Sequence, residues 1–168
     1  RADVRAYVEA ALAGEGRDPS GPPPWRALLE RATVQQKAAE DGVADEAKKR
    51  LESEPKGRER KALEREFEEA AKRSSRRART EVLDLGLELA ALSFRDLACI
   101  SEGAGEAVLA VDASPDLARH AHGRDPRRLR EAMERCEDTR QSLELNVSED
   151  LALEALGFRL EKLVGSAG

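Results

Sequence analysis

Aromatic residues make up only 3% of these 168 residues: one Trp, one Tyr and three Phe. So few rings leave no interleaved stacking platform for single-stranded nucleic acid, and they oblige any core to be aliphatic. Cysteine is as sparse. Cys99 and Cys136 provide neither the framework of a small secreted domain nor a zinc-binding spacing. Both fall in apolar helical patterns and read as reduced, buried thiols of a cytoplasmic protein. His120 and His122, near Gly123, have no Cys or matched carboxylates beside them to complete a metal site, and read as surface residues. No run approaches the ~20 apolar residues of a membrane span. Residues 1–14 lack the charged-then-apolar layout of a signal peptide, so the protein is expected to stay in the cytoplasm. The glycines read as connector residues, not as a phosphate-binding loop between strand and helix, and no Ser-His-Asp set can be assembled. The sequence therefore predicts no catalytic constellation, no metal and no cofactor, and a chain that is not itself an enzyme.

What is abundant is charge and helix-forming aliphatics. Charged residues reach 38%, with 34 acidic against 29 basic side chains, a formal net charge of -5 and a pI near 5.3. That balance argues against a generally basic nucleic-acid binder and puts protein partners first. The plentiful Ala, Leu, Glu and Arg predict an all-α fold. A chain of this size buries about 70% of its unfolded surface, enough for one core without staples. Because it opens on Arg1 within an apparent helix, residues 1–168 are expected to be a single domain excised from a longer protein.

Val4, Val8, Ala11 and Leu12 recur at helical spacing until Gly14 and Gly16 stop them. Residues 17–24 hold four prolines and read as a stiff connector, with Pro24 placed to open the next helix. That helix runs from Trp25 through Leu28, Leu29, Ala32 and Ala39 toward Gly42, with a possible resumption over 45–51 before Pro55 and Gly57. A stripe of Leu63, Phe67, Ala70, Ser74, Ala78, Val82, Leu85, Leu89, Leu92 and Ile100 then predicts one helix of some 40 residues, on the order of 60 Å. Its first half is charged on all but a narrow stripe and, with the residues before it, forms a charged helical arm over 38–73. Its second half, with Phe94 and Leu97, is apolar on almost every face and reads as core.

Residues 107–111 form a short apolar run expected to plug the core between helices. Ser114-Pro115 and Asp125-Pro126 each pair a capping side chain with a proline suited to the first helical turn. The face of the second of these helices carries Leu129, Ala132, Met133, Cys136, Leu143 and Leu145. Ser148 caps the last helix, with Glu149 and Asp150 in its first turn. That helix is apolar on two sides: Leu151, Ala155 and Phe158 on one, and Leu153, Leu156, Leu160 and Leu163 on the other. A terminal helix of this kind needs two partners.

Two basic clusters stand out. Lys72, Arg73, Arg76, Arg77 and Arg79 spread a positive band over two helical turns, a possible basic surface for phosphates. Acidic residues flank the band, so an ion-paired, solvated face is the plainer reading and DNA contact is not expected. Arg124, Arg127, Arg128 and Arg130 open the penultimate helix, where a partner contact has more weight. A coiled-coil scaffold built on the long helix is a further rival, but Ser74 and Ala78 make a poor heptad seam.

Gly123-Arg124-Asp125-Pro126-Arg127-Arg128-Leu129 and Asn146-Val147-Ser148 with Leu151-Ala152-Leu153-Glu154-Ala155-Leu156 resemble the last two helices of bacterial DNA polymerase III clamp-loader subunits. Residues 76–99, with Ala78-Arg79-Thr80-Glu81 and Phe94-Arg95-Asp96-Leu97, are more weakly similar to the long helix of the same domain. The resemblance covers roughly the second half of the chain. It implies that residues 1–168 are a single C-terminal helical domain, a bundle that joins four others in a collar above the ATPase modules, and partners among the other clamp-loader subunits, delta and gamma/tau. The short stretch after the last helix favours the delta-prime branch over gamma/tau. Residues expected at the subunit interface are Arg127, Arg128, Asn146, Leu151, Phe158 and Arg159, with Leu153, Leu156 and Leu160 in the core of the terminal helix. Self-association of the isolated domain is compatible with the same surface. ATP binding, an arginine finger and clamp contact are assigned to no residue, because the modules that carry them in that family have no counterpart here.

Overall fold

The computed structural model describes residues 1–14, 22–53, 56–111, 114–145 and 147–165. Among them the chain is an all-helical bundle, with no strand: α1 (Ala2–Ala13), α2 (Arg26–Glu52), α3 (Arg58–Ser101), a 3₁₀ turn (Gly105–Ala107), α4 (Ser114–Ala121), α5 (Pro126–Glu144) and α6 (Glu149–Val164). It divides into two compact units, Arg1–Leu28 with Asp84–Gly168, and Leu29–Leu83.

Local chemistry explains most helix ends. Gly14 takes the left-handed conformation (φ 76°) and its N–H reaches back to the carbonyls of Ala10 and Ala11, closing α1. The Asp125 carboxylate accepts from the Arg127 N–H at 2.9 Å, and Pro126 stands first in α5, where a missing N–H costs nothing. Other ends differ from the sequence reading. Pro24 does not open α2; it lies in a turn in which the Arg26 N–H bonds the Pro23 carbonyl at 2.9 Å, and the helix starts at Arg26. Gly42 does not interrupt α2, since one glycine costs about 1 kcal/mol against alanine and helix flanks it on both sides. Ser148 occupies the N-cap of α6 without a side-chain cap bond, leaving Glu149 and Asp150 to complement the helix dipole. Gly16, Pro55 and most of the 17–24 connector lie outside the described residues.

α3 is one helix of 44 residues, about 66 Å long, but its buried side is not the expected stripe. In its second half the buried residues are Leu83, Leu87, Ala90, Ala91, Phe94, Leu97 and Ala98, while Leu85 is 54% exposed. A helix apolar on nearly every face has a legible pitch, yet its phase is set by what packs against it.

In the larger unit, Val4, Val8, Leu12, Phe94, Leu97, Leu129, Leu153, Leu156 and Leu160 make an aliphatic core around one phenyl ring. Each such side chain stabilises by about 1.5–3 kcal/mol relative to leaving it in water. Cys136 is buried, whereas Cys99 is only half-buried, and both are free thiols. Gly86 and Gly157 are inside helices, contrary to the connector reading, because a side chain there would strike Leu28 and Trp25 respectively. Of residues 107–111 only Val108 reaches the core; Leu109 and Val111 stand in solvent. The cause is Asp96, 1% exposed, whose carboxylate accepts the N–H groups of Leu109 (3.1 Å) and Ala110 (2.9 Å) and so fixes that segment by its backbone.

The smaller unit is an antiparallel helix pair. The Arg60 guanidinium donates to the Leu51 carbonyl at 2.6 Å near the turn, and Arg79 donates to Thr33 Oγ1 at 2.9 Å toward the other end. No described residue between Thr33 and Ser74 is buried, and Leu63, Phe67 and Ala70 are half-buried along the seam.

Candidate assembly surface on the terminal helix pair

α5 and α6 are joined by a short connection through Leu145, Val147 and Ser148; Asn146, expected at an interface, lies outside the described residues. The first turn of α5 and the last turn of α6 line one cavity, so the two helices run antiparallel. Their pair has two ends of different chemistry.

One end holds Arg127 and Arg128, both exposed in the first turn of α5, which carries no acidic residue. Positive charge there opposes the helix dipole, a cost of some 0.3–1 kcal/mol per charge, so helix stability does not explain these arginines. Beside them is a cavity of about 180 Å³ lined by Arg128, Leu129, Leu163 and Val164, among others. Arg124, grouped with them in the sequence, is different. Its Nε donates to the His120 carbonyl (2.7 Å), one terminal nitrogen to Leu12 (2.9 Å) and the other to Val164, the last residues of α4, α1 and α6 or their neighbours. It is a bracket for three helix ends, and burial lowers its pKa from the usual arginine value. Arg130 is also engaged, with Glu102 at 2.5 Å.

The other end is apolar and acidic. Leu145 is 78% exposed, Val147 44% and Leu151 65%, with Asp150 exposed between them. Along α6, Leu153, Leu156 and Leu160 are fully buried, while Arg159 is exposed. Phe158 is 38% exposed because its ring leans on Trp25, centroids 6.4 Å apart at 56°. Gly157 allows that ring onto the helix: a Cβ there would come within 2.8 Å of Trp25 Cζ3. Of this side of α6, Leu151 is exposed, Ala155 is half-buried and Phe158 is partly covered by Trp25 among the described residues.

No family model matches the chain, and neither a curated protein nor a solved structure does. Inference about function therefore rests on the surfaces themselves.

The remaining charged groups are mostly committed within the fold. Arg140 grips Asp84 through two bonds (2.8 and 3.0 Å) and Glu137 at 3.0 Å, and these carboxylates raise its pKa further. In the basic band, Lys72 pairs with Glu69 (3.2 Å) and Arg77 with Glu81 (2.7 Å), while Arg79 holds Thr33. Arg73 and Arg76 are exposed without an ion pair among the described residues. His120 lies 3.7 Å from Glu9, and no group of three metal-ligating side chains occurs among the described residues. Burial pushes the Cys136 thiol up to about 12, which keeps it protonated and unreactive at neutral pH. Sequence reasoning missed Asp96, Arg140 and the Trp25 contact, whose partners are 13 or more residues away, and Tyr7, whose buried hydroxyl has no hydrogen-bond partner among the described residues.

Proposed function

We propose that this chain is a subunit-assembly, or collar, domain of the bacterial DNA polymerase III clamp loader. The member proposed is the cytoplasmic delta-prime subunit, with gamma/tau as the alternative branch. In this reading it acts in DNA replication by holding the loader ring together, so that nucleotide-driven motions elsewhere become opening of the clamp. The observation that carries the reading is the exposed apolar row at the start of the terminal helix, Leu151 with Leu145 and Val147. Such a row, on a helix pair whose opposite end carries arginines that their own helix does not need, suits a subunit contact better than free solvent. The resemblance of residues 123–129 and 146–156 supplies the family, and catalysis is assigned to no residue of this chain.

Light scattering behind size exclusion, on the domain mixed with collar fragments of the delta and gamma/tau subunits from the same source, tests the proposal. A stable mixed complex is expected, and Leu151→Glu should abolish it while leaving helicity and melting unchanged. A domain that ignores those fragments at tens of micromolar overturns the reading.

One observation favours a second reading, a helical nucleic-acid-binding module: the exposed, unpaired Arg73 and Arg76 in the band Lys72, Arg73, Arg76, Arg77 and Arg79. It predicts DNA affinity that falls steeply with salt and vanishes when both become Glu.

A further inference from the structure

Folding splits the basic band of α3 and rebuilds it as a longer row. Arg77 turns to Glu81 (2.7 Å) and Arg79 to Thr33 Oγ1 (2.9 Å), so neither is a free charge. Arg73 and Arg76 are exposed and make no ion pair or side-chain hydrogen bond among the described residues, and the same holds for Arg58 and Arg65 earlier in α3. At about 100° of turn per residue, these four arginines and Lys72 fall within one sector of the helix, which faces away from the seam residues Leu63, Phe67, Ala70 and Ser74. The row from Arg58 to Arg76 is about 27 Å long. The sector also holds Ala62, Thr80 and one carboxylate, Glu69, which is bonded to Lys72 at 3.2 Å. Glu59, Glu66 and Glu68, which dilute the charge in the sequence, lie on the flanks of the helix outside it.

The helix gains nothing from this row. Lys72 and Arg76 at i,i+4, like Arg73 and Arg76 at i,i+3, are like-charge neighbours that destabilise it. What the row lacks narrows what it fits. It has no apolar side chain larger than alanine, whereas a protein partner needs an apolar centre to its interface. It has no aromatic ring on which the bases of a single strand could stack. A duplex presents a dense, regular array of phosphates, one charge per about 1.7 Å of axis and so about 16 along a row of this length, and it can be held by cations alone. We infer that this outer face of α3, through Arg58, Arg65, Arg73 and Arg76, binds duplex nucleic acid by its phosphates and without reading its sequence. The inference deepens the nucleic-acid reading of the basic band and rests on it for the premise that these arginines meet phosphate. It adds the form of the nucleic acid and extends the site along the helix to Arg58.

The test is fluorescence anisotropy with the whole chain in rising salt. The probes are two labelled duplexes of about 20 base pairs and unrelated sequence, one of their single strands, and poly-glutamate. Four neutralised phosphates predict a slope near -3.6 for log affinity against log salt, a weakening on the order of a hundredfold between about 50 and 200 mM. Arg58→Ala with Arg65→Ala, and separately Arg73→Ala with Arg76→Ala, should each reduce the slope by about half, and alanine keeps the helix intact. Lys37→Glu with Lys48→Glu, on exposed positions of α2, should retain the parent's slope. Both duplexes should bind alike, and more tightly than the single strand or poly-glutamate. A single strand that binds more tightly than the duplex overturns the inference and leaves the nucleic-acid reading standing. Poly-glutamate bound as tightly as the duplex overturns it in favour of an acidic protein. A chain that binds no nucleic acid at about 50 mM salt overturns the inference and the reading together. An Arg58→Ala, Arg65→Ala chain that keeps the parent's slope, or a Lys37→Glu, Lys48→Glu chain that loses half of it, overturns the row as the site.

Discussion

The two units put nearly the same residue types to opposite use. In Arg1–Leu28 with Asp84–Gly168, large aliphatic side chains are buried to within a few per cent, and Asp96, Arg124 and Arg140 are tied to named partners. In Leu29–Leu83, fifteen basic and thirteen acidic side chains crowd two helices whose apolar residues are mostly half-covered. Ion pairs there are exposed i,i+3 and i,i+4 contacts such as Lys72–Glu69 and Arg77–Glu81, which water screens and which add little to stability. Helix content is thus a poor guide to where stability lies. One unit is held by packing, the other by propensity and a thin seam.

The sharpest way to break that contrast is to remove the same side chain from each unit. Leu156→Ala should lower unfolding stability by about 3–4 kcal/mol, since a fully buried leucine leaves a cavity that its neighbours only partly fill. Leu63→Ala, in the half-buried seam, should cost about 1 kcal/mol or less. Denaturant titration of both variants checks this, and equal losses would show that the seam is a true core.

A smaller effect is expected at Asp96. Asp96→Ala strips the acceptor from the N–H groups of Leu109 and Ala110 and should cost about 2–3 kcal/mol, whereas Asp96→Asn, keeping one carbonyl, should cost roughly half as much. Hydrogen exchange at those two amides should quicken with the loss of stability. Unchanged protection would mean that the segment is held by Val108 alone.

The smallest effects come from one substitution with opposite signs. Gly157→Ala drives a methyl group into the Trp25 ring and should cost about 1–3 kcal/mol, read directly by the fluorescence of this single tryptophan. Gly42→Ala, in an open position inside α2, should raise helix stability by about 0.5–1 kcal/mol, read by far-UV circular dichroism.

These elements also mark what a sequence discloses. The all-helical class, the 44-residue α3 and the start of α5 follow from composition, periodicity and the Asp125-Pro126 cap, all of which act over a few residues. The buried side of α6 is legible too, because residues 153, 156 and 160 recur on it. The phase of α3 was not legible, since residues 82–100 offer apolar groups in every direction. Arg124 and Arg128 look alike in the sequence; only the distant carbonyls of Leu12 and Val164 separate a bracket from a free rim charge. The cavity beside Arg128 is likewise made by residues some 35 positions apart, as Leu129 and Leu163 are.

Arg124 sets a limit on how this chain can drift. Exchange of arginine for lysine is ordinarily among the mildest changes a protein accumulates, because the charge is kept. Here three nitrogens of one planar group face three different carbonyls, at His120, Leu12 and Val164. A lysine brings a single nitrogen on a flexible stem and cannot span them. At this position the neutral-looking exchange would unfasten three helix ends at once, so among descendants of this sequence it should be one of the least tolerated replacements on the surface.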